Sequence, residues 1–422
     1  MAEGEEWCER RLLARIHRYT VKRLRAEIEP VAARDFLRFL CQWQRVEPDT
    51  RMEGPDALEA ILAQLEGFEA PAGAWETEIL PARIVGYDPA WLDDLCLSGR
   101  IAWMRLHQRS GPANEGERTA APVRSTPITL LPRRHASLWL SLSPATAAPR
   151  PSTRAQAVLD CIREHGASFF GELIEGARLL RPETEDALAE LVALGIVNSD
   201  SFGGLRALLI PADRRRSGVR HRRRSPAFGV EDAGRWALVR SARIQDQNES
   251  RPDADAIEHV ARILLRRYGV VFWRLIEREA SWLPPWRDLL RAFRRLEARG
   301  EIRGGRFVSG FSGEQFALPE AIGPLREIRR KKGTGVWISI SGADPLNLAG
   351  SLTPGAKLPA LTSNRLLYRD GLPVASFSGG EICFLEKLDA GDEWQARKTL
   401  LRGASKRIAS RPRARHAVAK PT

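Results

Sequence analysis

Asp344, an aspartate set among glycines and a proline, is the first place in this chain to look for chemistry. It lies in SGADPLNLAGSLTPG (341–355), after the strand-like run Val336, Trp337, Ile338 and Ile340. An acid there serves catalysis if its surroundings raise its pKa or if it activates a water. The same residue types also build a corner. An Asp ahead of Pro-Leu-Asn accepts backbone N–H bonds two residues on, and Gly342, Gly350 and Gly355 allow tight bends. On residue types alone the corner is the better fit, and Asp344 stays the one catalytic candidate.

Other chemistries find little support. No GxxxxGK[ST] cradles a phosphate, no GxGxxG opens a strand–helix–strand unit, and no GxSxG marks a nucleophile elbow. The five cysteines form no CxxC, and the seven histidines form no HxxxH or HExxH pair. No metal and no cofactor is therefore expected, although ligands can converge from distant positions. No apolar run reaches membrane-spanning length, and MAEGEEWCERR carries no signal-peptide core, so a cytoplasmic protein is expected.

Positive charge, by contrast, is abundant and clustered. The net charge is +13. RRRSGVRHRRR (214–224) holds seven arginines and no acid, and nine Lys or Arg follow Glu393 without one. Acid-free basic blocks are the footprint of a polyanion, since each phosphate neutralised releases counterions. Candidate phosphate contacts are Arg214, Arg215, Arg216, Arg222, Arg223 and Arg224, then Arg329, Arg330, Lys331 and Lys332. A further set is Arg287, Arg291, Arg294 and Arg295, which share one helical face opposite Leu289, Phe293 and Leu296. Arg11, Arg15, Arg18, Lys22 and Arg25 form another helical stripe that either meets phosphates or faces water.

The elements that must carry these side chains repeat. WLDDLCLSGRIAW (91–103), ALAELVALGIVNS (187–199) and RAFRRLEARGEIR (291–303) align on Gly99, Gly195 and Gly300. Seven residues earlier stand Leu92, Leu188 and Phe293; four earlier, Leu95, Leu191 and Leu296; two later, Ile101, Val197 and Ile302. Apolar residues three apart mark a helical face. The glycine suits a left-handed helix end, and the β-branched residue starts a strand. Pro89, Pro182 and Pro285 precede the helices, and Asp88 is a ready N-cap. Gly203-Gly204 and Gly304-Gly305, each between apolar runs, read as β-hairpins. In the first unit the paired strands are IAWMRL (101–106) and PITLLP (127–132). Three helices and a hairpin make a winged helix.

The expected architecture is α+β and multidomain, with tandem winged helices followed by a small C-terminal β-barrel. An N-terminal helical segment occupies 1–48. Winged helices follow at 49–148, 149–212 and 251–322, with an Arg-rich linker at 213–250 between the last two. The barrel spans 323–392, with Asp370-Gly371 turning its clearest hairpin, and a basic tail spans 393–422.

RRLLARIHRYTVKRLRAEIEPVAARDFLRFLCQWQRV (10–46), STPITLLPRRHASLWL (125–140) and SGADPLNLAGSLTPGAKLPALTSNRLLYRDGLPVASF (341–377) resemble the C-terminal half of the bacterial large helicase-related (Lhr) family. That resemblance implies a region of a superfamily 2, 3′-to-5′ DNA helicase that prefers RNA:DNA hybrids. The helicase motor lies in the N-terminal half of such proteins and is absent from this chain. The chain would then be a split gene product, a truncated reading frame or a free-standing accessory protein. The implied role is in DNA repair: a DNA-binding accessory region with no ATPase of its own, acting on single-stranded DNA or an RNA:DNA hybrid. It would work with a separately encoded helicase core and self-associate into a homo-oligomer. The same half also resembles the AlkZ/YcaQ type of DNA glycosylase, which makes removal of uracil or a damaged base the alternative. Gln245-Asp246-Gln247 fits that type's Gln-x-Asp or Gln-x-Gln motif by letters, but it sits in a polar linker, where chance accounts for it. An oligomerisation scaffold is the third reading.

Overall fold

The computed structural model describes residues 9–26, 28–106, 123–143, 151–210, 229–239 and 253–408. Three winged helices are present, and each is built the same way. In the third unit, helix Ala254–Tyr268 leads to strand Val270–Phe272, short helix Trp273–Ile276, helix Trp286–Ala298, and strands Arg303–Gly305 and Gln315–Ala317. The last strand lies between the other two, antiparallel to both: Phe316 pairs with Gly304 on one side and Val271 on the other. The second unit repeats this plan with strands Ser168–Phe169, Val197–Ser199 and Arg235–Leu238. There Trp236 stands between Ser168 and Ser199. The first unit repeats it with Ala70–Pro71, Ile101–Met104 and Pro127–Pro132.

The aligned glycines explain why the plan recurs. Gly99, Gly195 and Gly300 have φ of 74°, 76° and 77°, a region that L side chains rarely adopt. At each, the glycine N–H donates to the carbonyl three residues back: Cys96, Val192 and Glu297. The next N–H donates five residues back, to Leu95, Leu191 and Leu296. These paired bonds satisfy carbonyls that the helix end leaves open, and they aim the chain into its strand. The nine aligned apolar residues are all buried. Asp88 caps its helix as expected, accepting from Ala90 N–H at 2.9 Å.

Two expectations about the hairpins fail. Gly203-Gly204 belongs to a helix, Phe202–Leu208, which Ser201 caps through the Gly204 N–H. Glycine is needed there for closeness, because a Cβ on Gly204 would stand 2.5 Å from that of Ala233. The return strand of this wing is Arg235–Leu238, inside the stretch expected to be a linker. Gly304-Gly305 is strand rather than turn, and it pairs with Gln315–Ala317 rather than with the apolar run Phe307-Val308 that follows it. Val308 instead bridges to Val31.

The C-terminal region also departs from expectation. Trp337–Ser341, Arg365–Arg369, Leu372–Ser378 and Glu381–Phe384 form an open four-stranded antiparallel sheet, with no closed barrel among the described residues. Helix Ala390–Ile408 is the reason closure is not needed. Its Ala396 and Leu400 are buried against Leu367, Val374 and Ala375, so one face of the sheet is covered by a helix. Ile340, Leu366 and Tyr368 join the core of the third unit. The hairpin at Asp370-Gly371 has φ of 50° and 78°, the two positive values of a type I′ turn.

Two main cores result. One joins the first and second units; the other joins helix Ala33–Trp43, the third unit and the C-terminal sheet. Among the described residues no helix is long and apolar enough to cross a membrane.

Candidate nucleic-acid interface

Helix Trp286–Ala298 buries Leu289, Ala292, Phe293 and Leu296 and turns Arg287, Arg291, Arg294 and Arg295 to solvent. The expected basic face therefore exists. Its arginines are not bare. Arg291 Nη1 reaches Asp288 Oδ1 at 2.9 Å, and Arg294 forks onto Glu314 at 2.8 and 3.2 Å. Arg295 lies 3.9 Å from Glu258, which also takes Arg299 and Arg262. Burial works against ionising Glu258, but the hydrogen bonds from Arg299 and Arg262 win and hold its carboxyl below the usual glutamate range. Exposed pairs like these each contribute at most about 1 kcal/mol, so phosphate can displace the carboxylates at small cost.

The structure adds cations that the sequence pattern did not single out. Arg303 and Arg306 are exposed on the wing that follows this helix, and neither has a carboxylate partner among the described residues. Wing and third helix are the two parts of a winged helix that flank bound nucleic acid, and here both are basic. Beside them an open cleft of about 430 Å³ lies between the second helix, the wing loop and the C-terminal segment. Trp273, Arg274, Glu277, Phe311 and Leu352 are among its walls. Trp273 is 48% exposed and packs edge-on against Trp286 at 6.2 Å. An exposed indole next to an arginine has the face on which an unpaired base can stack.

The other candidate cations lie elsewhere. Arg214, Arg215, Arg216, Arg222, Arg223 and Arg224, like Gln245-Asp246-Gln247, fall outside the described residues. Arg329, Arg330, Lys331 and Lys332 are exposed at the end of helix Pro319–Arg330. Arg329 pairs with Glu29, and Lys331 with Glu327 at 3.2 Å. The carbonyls of Lys331 and Lys332 accept from Arg38, which docks this end on helix Ala33–Trp43.

Asp344 occupies no cleft. It is 1% exposed, and its carboxylate meets the fully buried Arg83 with two bonds of 2.7 and 3.0 Å. Its Oδ1 also accepts from Leu346 N–H at 2.9 Å, the corner expected from the sequence. An acid with both oxygens engaged and no solvent path is a fastener. Arg83 donates in turn to Gln44, whose amide donates to the carbonyl of Arg267. Arg267 is buried with Glu279 and donates to the carbonyl of Glu66. This polar chain ties the first unit, helix Ala33–Trp43, the third unit and the C-terminal segment together. Burial beside it pushes the Cys41 thiol up to about 12, with Glu47 and Asp344 adding to the effect, so Cys41 is inert at neutral pH.

Comparison with known proteins fits this geometry. Residues 31–132 and residues 250–337 each match a family model described as large helicase-related protein, winged-helix domain. These are that protein's third and fourth such domains, and the two spans contain the first and third units. The chain is 28% identical over 423 residues to the "Lhr helicase/ probable uracil glycosylase" of Mycolicibacterium smegmatis, covering 89% of this chain and 26% of that protein. It is 28% identical over 437 residues to the "Lhr helicase/uracil glycosylase" of Escherichia coli, covering 94% and 27%. The chain thus spans about a quarter of the length of these curated relatives. Among solved structures, the DNA glycosylase AlkZ of Streptomyces sahachiroi aligns with a TM-score of 0.43 and 14% identity, over 89% of this chain and 98% of that one.

Proposed function

We propose that this chain, whose first and third winged helices match the models for the third and fourth winged-helix domains of the large helicase-related protein, is a nucleic-acid-binding region that grips DNA for a helicase. One observation carries the reading: Arg287, Arg291, Arg294 and Arg295 of helix Trp286–Ala298 are exposed, and so are Arg303 and Arg306 on the wing that follows it. Arginines on phosphates position a strand without reading its bases, so sequence preference is low. The Trp273 platform favours a partner with unpaired bases, that is, single-stranded DNA or the frayed end of an RNA:DNA hybrid. The motor it serves is a helicase core, and self-association would multiply the grip. Both are checked by sedimentation of the chain alone and with such a core.

The decisive experiment is fluorescence anisotropy of the full chain with single-stranded, duplex and hybrid oligonucleotides over a salt series. The expected result is a steep linear fall of log affinity with log salt, and a preference for unpaired bases that Trp273→Ala removes. A flat salt response overturns the proposal.

The cleft supports a second reading, removal of uracil, since one relative is named a uracil glycosylase and the other a "probable uracil glycosylase". Glu277 stands in its wall beside Trp273, whereas Asp344 is sealed. A uracil-containing oligonucleotide treated with alkali after incubation tests this. Cleavage lost in Glu277→Gln supports it, and no cleavage by the wild-type chain removes it.

A further inference from the structure

Glu66, His135 and His259 converge although they lie far apart in the chain. The Glu66 Oε1 is 2.8 Å from His135 Nδ1 and 2.8 Å from His259 Nε2. The three donor atoms all lie within 4.8 Å of one another. Glu66 follows the first helix of the first unit, His135 follows that unit's last strand, and His259 is on the first helix of the third unit. The group therefore spans the contact between two winged helices.

The carboxylate is built into place. Glu66 is 0% exposed. Trp139 Nε1 donates to its Oε1 at 2.9 Å, and the Trp139 ring lies over Gly67 so closely that a Cβ there would stand 2.2 Å from it. Gly67 has φ +74°, so the site requires glycine for space and conformation alike. Its neighbour's Oε1 thus receives three donors, while the Oε2 of Glu66, also buried, has no hydrogen-bond partner. A buried carboxylate oxygen left unsatisfied is costly unless something else uses it. The two imidazoles are half-buried and leave the outer side open to solvent.

We propose that Glu66, His135 and His259 form a divalent transition-metal site, suited to zinc, that clasps the first winged helix to the third. Two imidazole nitrogens and one carboxylate are a recurrent zinc donor set, with water as the fourth ligand. At zinc–ligand bonds of about 2.0–2.2 Å, tetrahedral donors stand roughly 3.3 Å apart. The present Glu–His separations of 2.8 Å are those of the hydrogen-bonded, metal-free arrangement. Loading opens them by about half an ångström, which two partly exposed rings can supply. The metal takes the lone pairs of Nδ1 of His135 and Nε2 of His259, and the ring protons move to the outer nitrogens. Arg134, whose Nε now donates to His135 Nε2 at 3.2 Å, swings into solvent. The clasp is independent of nucleic-acid binding.

The test uses the full chain stripped with chelator and titrated with zinc alone. Bound metal is measured by elemental analysis after desalting, and affinity by competition with a chromophoric chelator. The expected result is about one zinc retained per chain, a rise in Tm on loading, and loss of both in His135→Ala and in His259→Ala. These two variants change partly exposed residues, which keeps the test valid if Glu66→Gln fails to fold. Cobalt substitution gives a second readout, with d–d bands of a nitrogen–oxygen site and no thiolate charge-transfer band, which separates it from binding at cysteine. Zinc retained equally in both histidine variants, or by neither they nor the wild type, overturns the proposal. The cluster is then only a hydrogen-bonded buried acid.

Discussion

Arg83 and Arg267 have side chains 0% and 1% exposed, whereas Arg287 and Arg291 keep 77% and 69% of theirs in solvent. All four are paired with carboxylates. What separates them is the cost of parting. A surface pair is held by well under about 1 kcal/mol and opens freely. A buried pair has given up its hydration, so either member left alone is an uncompensated charge in a low-dielectric setting. One set of arginines can therefore exchange its carboxylates for another anion, and the other fixes how the units stand.

The largest effect should come from breaking the buried set. Asp344→Ala leaves Arg83 without its partner and should destabilise the chain by about 3–5 kcal/mol, read as a lower urea midpoint. Replacing Arg83 and Asp344 together with apolar residues of similar volume should recover most of that loss. Equal loss in the single and double variants would mean that the pair does not act as a unit. Nucleic-acid affinity of the folded fraction should be unchanged, which separates Asp344 from the interface.

The converse holds for the exposed set. Arg287→Glu with Arg291→Glu should leave stability within about 0.5 kcal/mol. Affinity for single-stranded DNA at low salt should fall at least tenfold, and the salt slope should flatten by roughly 0.7 for each phosphate that is no longer neutralised. A stability loss as large as that of Asp344→Ala would erase the distinction between the two sets. Arg303→Ala with Arg306→Ala should act the same way but more weakly, because it removes charge without reversing it. Binding unaffected by the wing variants, with the helix variants defective, would confine the phosphate grip to the helix.

How much of this was legible depends on distance along the chain. The helix–glycine–strand corners at Gly99, Gly195 and Gly300 were readable because cap, glycine and strand lie within a few residues and obey local geometry. The exposed face of Trp286–Ala298 was readable from its period. The wing of the second unit was not, since its return strand at Arg235–Leu238 lies beyond a helix and an arginine-rich stretch. Gly203-Gly204 carried the composition of a turn, but tertiary closeness to Ala233 demanded glycine inside a helix. Arg83 and Asp344 are 261 positions apart, and Glu66 and His259 are 193 apart. No spacing rule reaches that far. The only sequence sign of the buried pair was Asp344 itself, in a segment rich in corners. The C-terminal strands were recognisable as strands, but which element covers their face depends on the helix that follows them.

Glu258, which pairs with exposed arginines, provides the smallest test. It holds Arg262 and Arg299 beside the basic helix, and its folded-state pKa lies below the ordinary glutamate range. A depressed carboxylate pKa contributes stability that is complete above the unfolded-state value and lost as pH falls through the folded one. Tm should therefore decline on acidification below the ordinary glutamate range, and Glu258→Gln should remove part of that decline. The same variant takes the carboxylate from Arg295 and leaves Arg262 and Arg299 with Glu301 alone. It should bind single-stranded DNA slightly more tightly than the wild type while being slightly less stable at neutral pH. Opposite signs in the two measurements are what a carboxylate that competes with phosphate requires. A variant weaker in both would assign Glu258 to the scaffold, alongside Asp344.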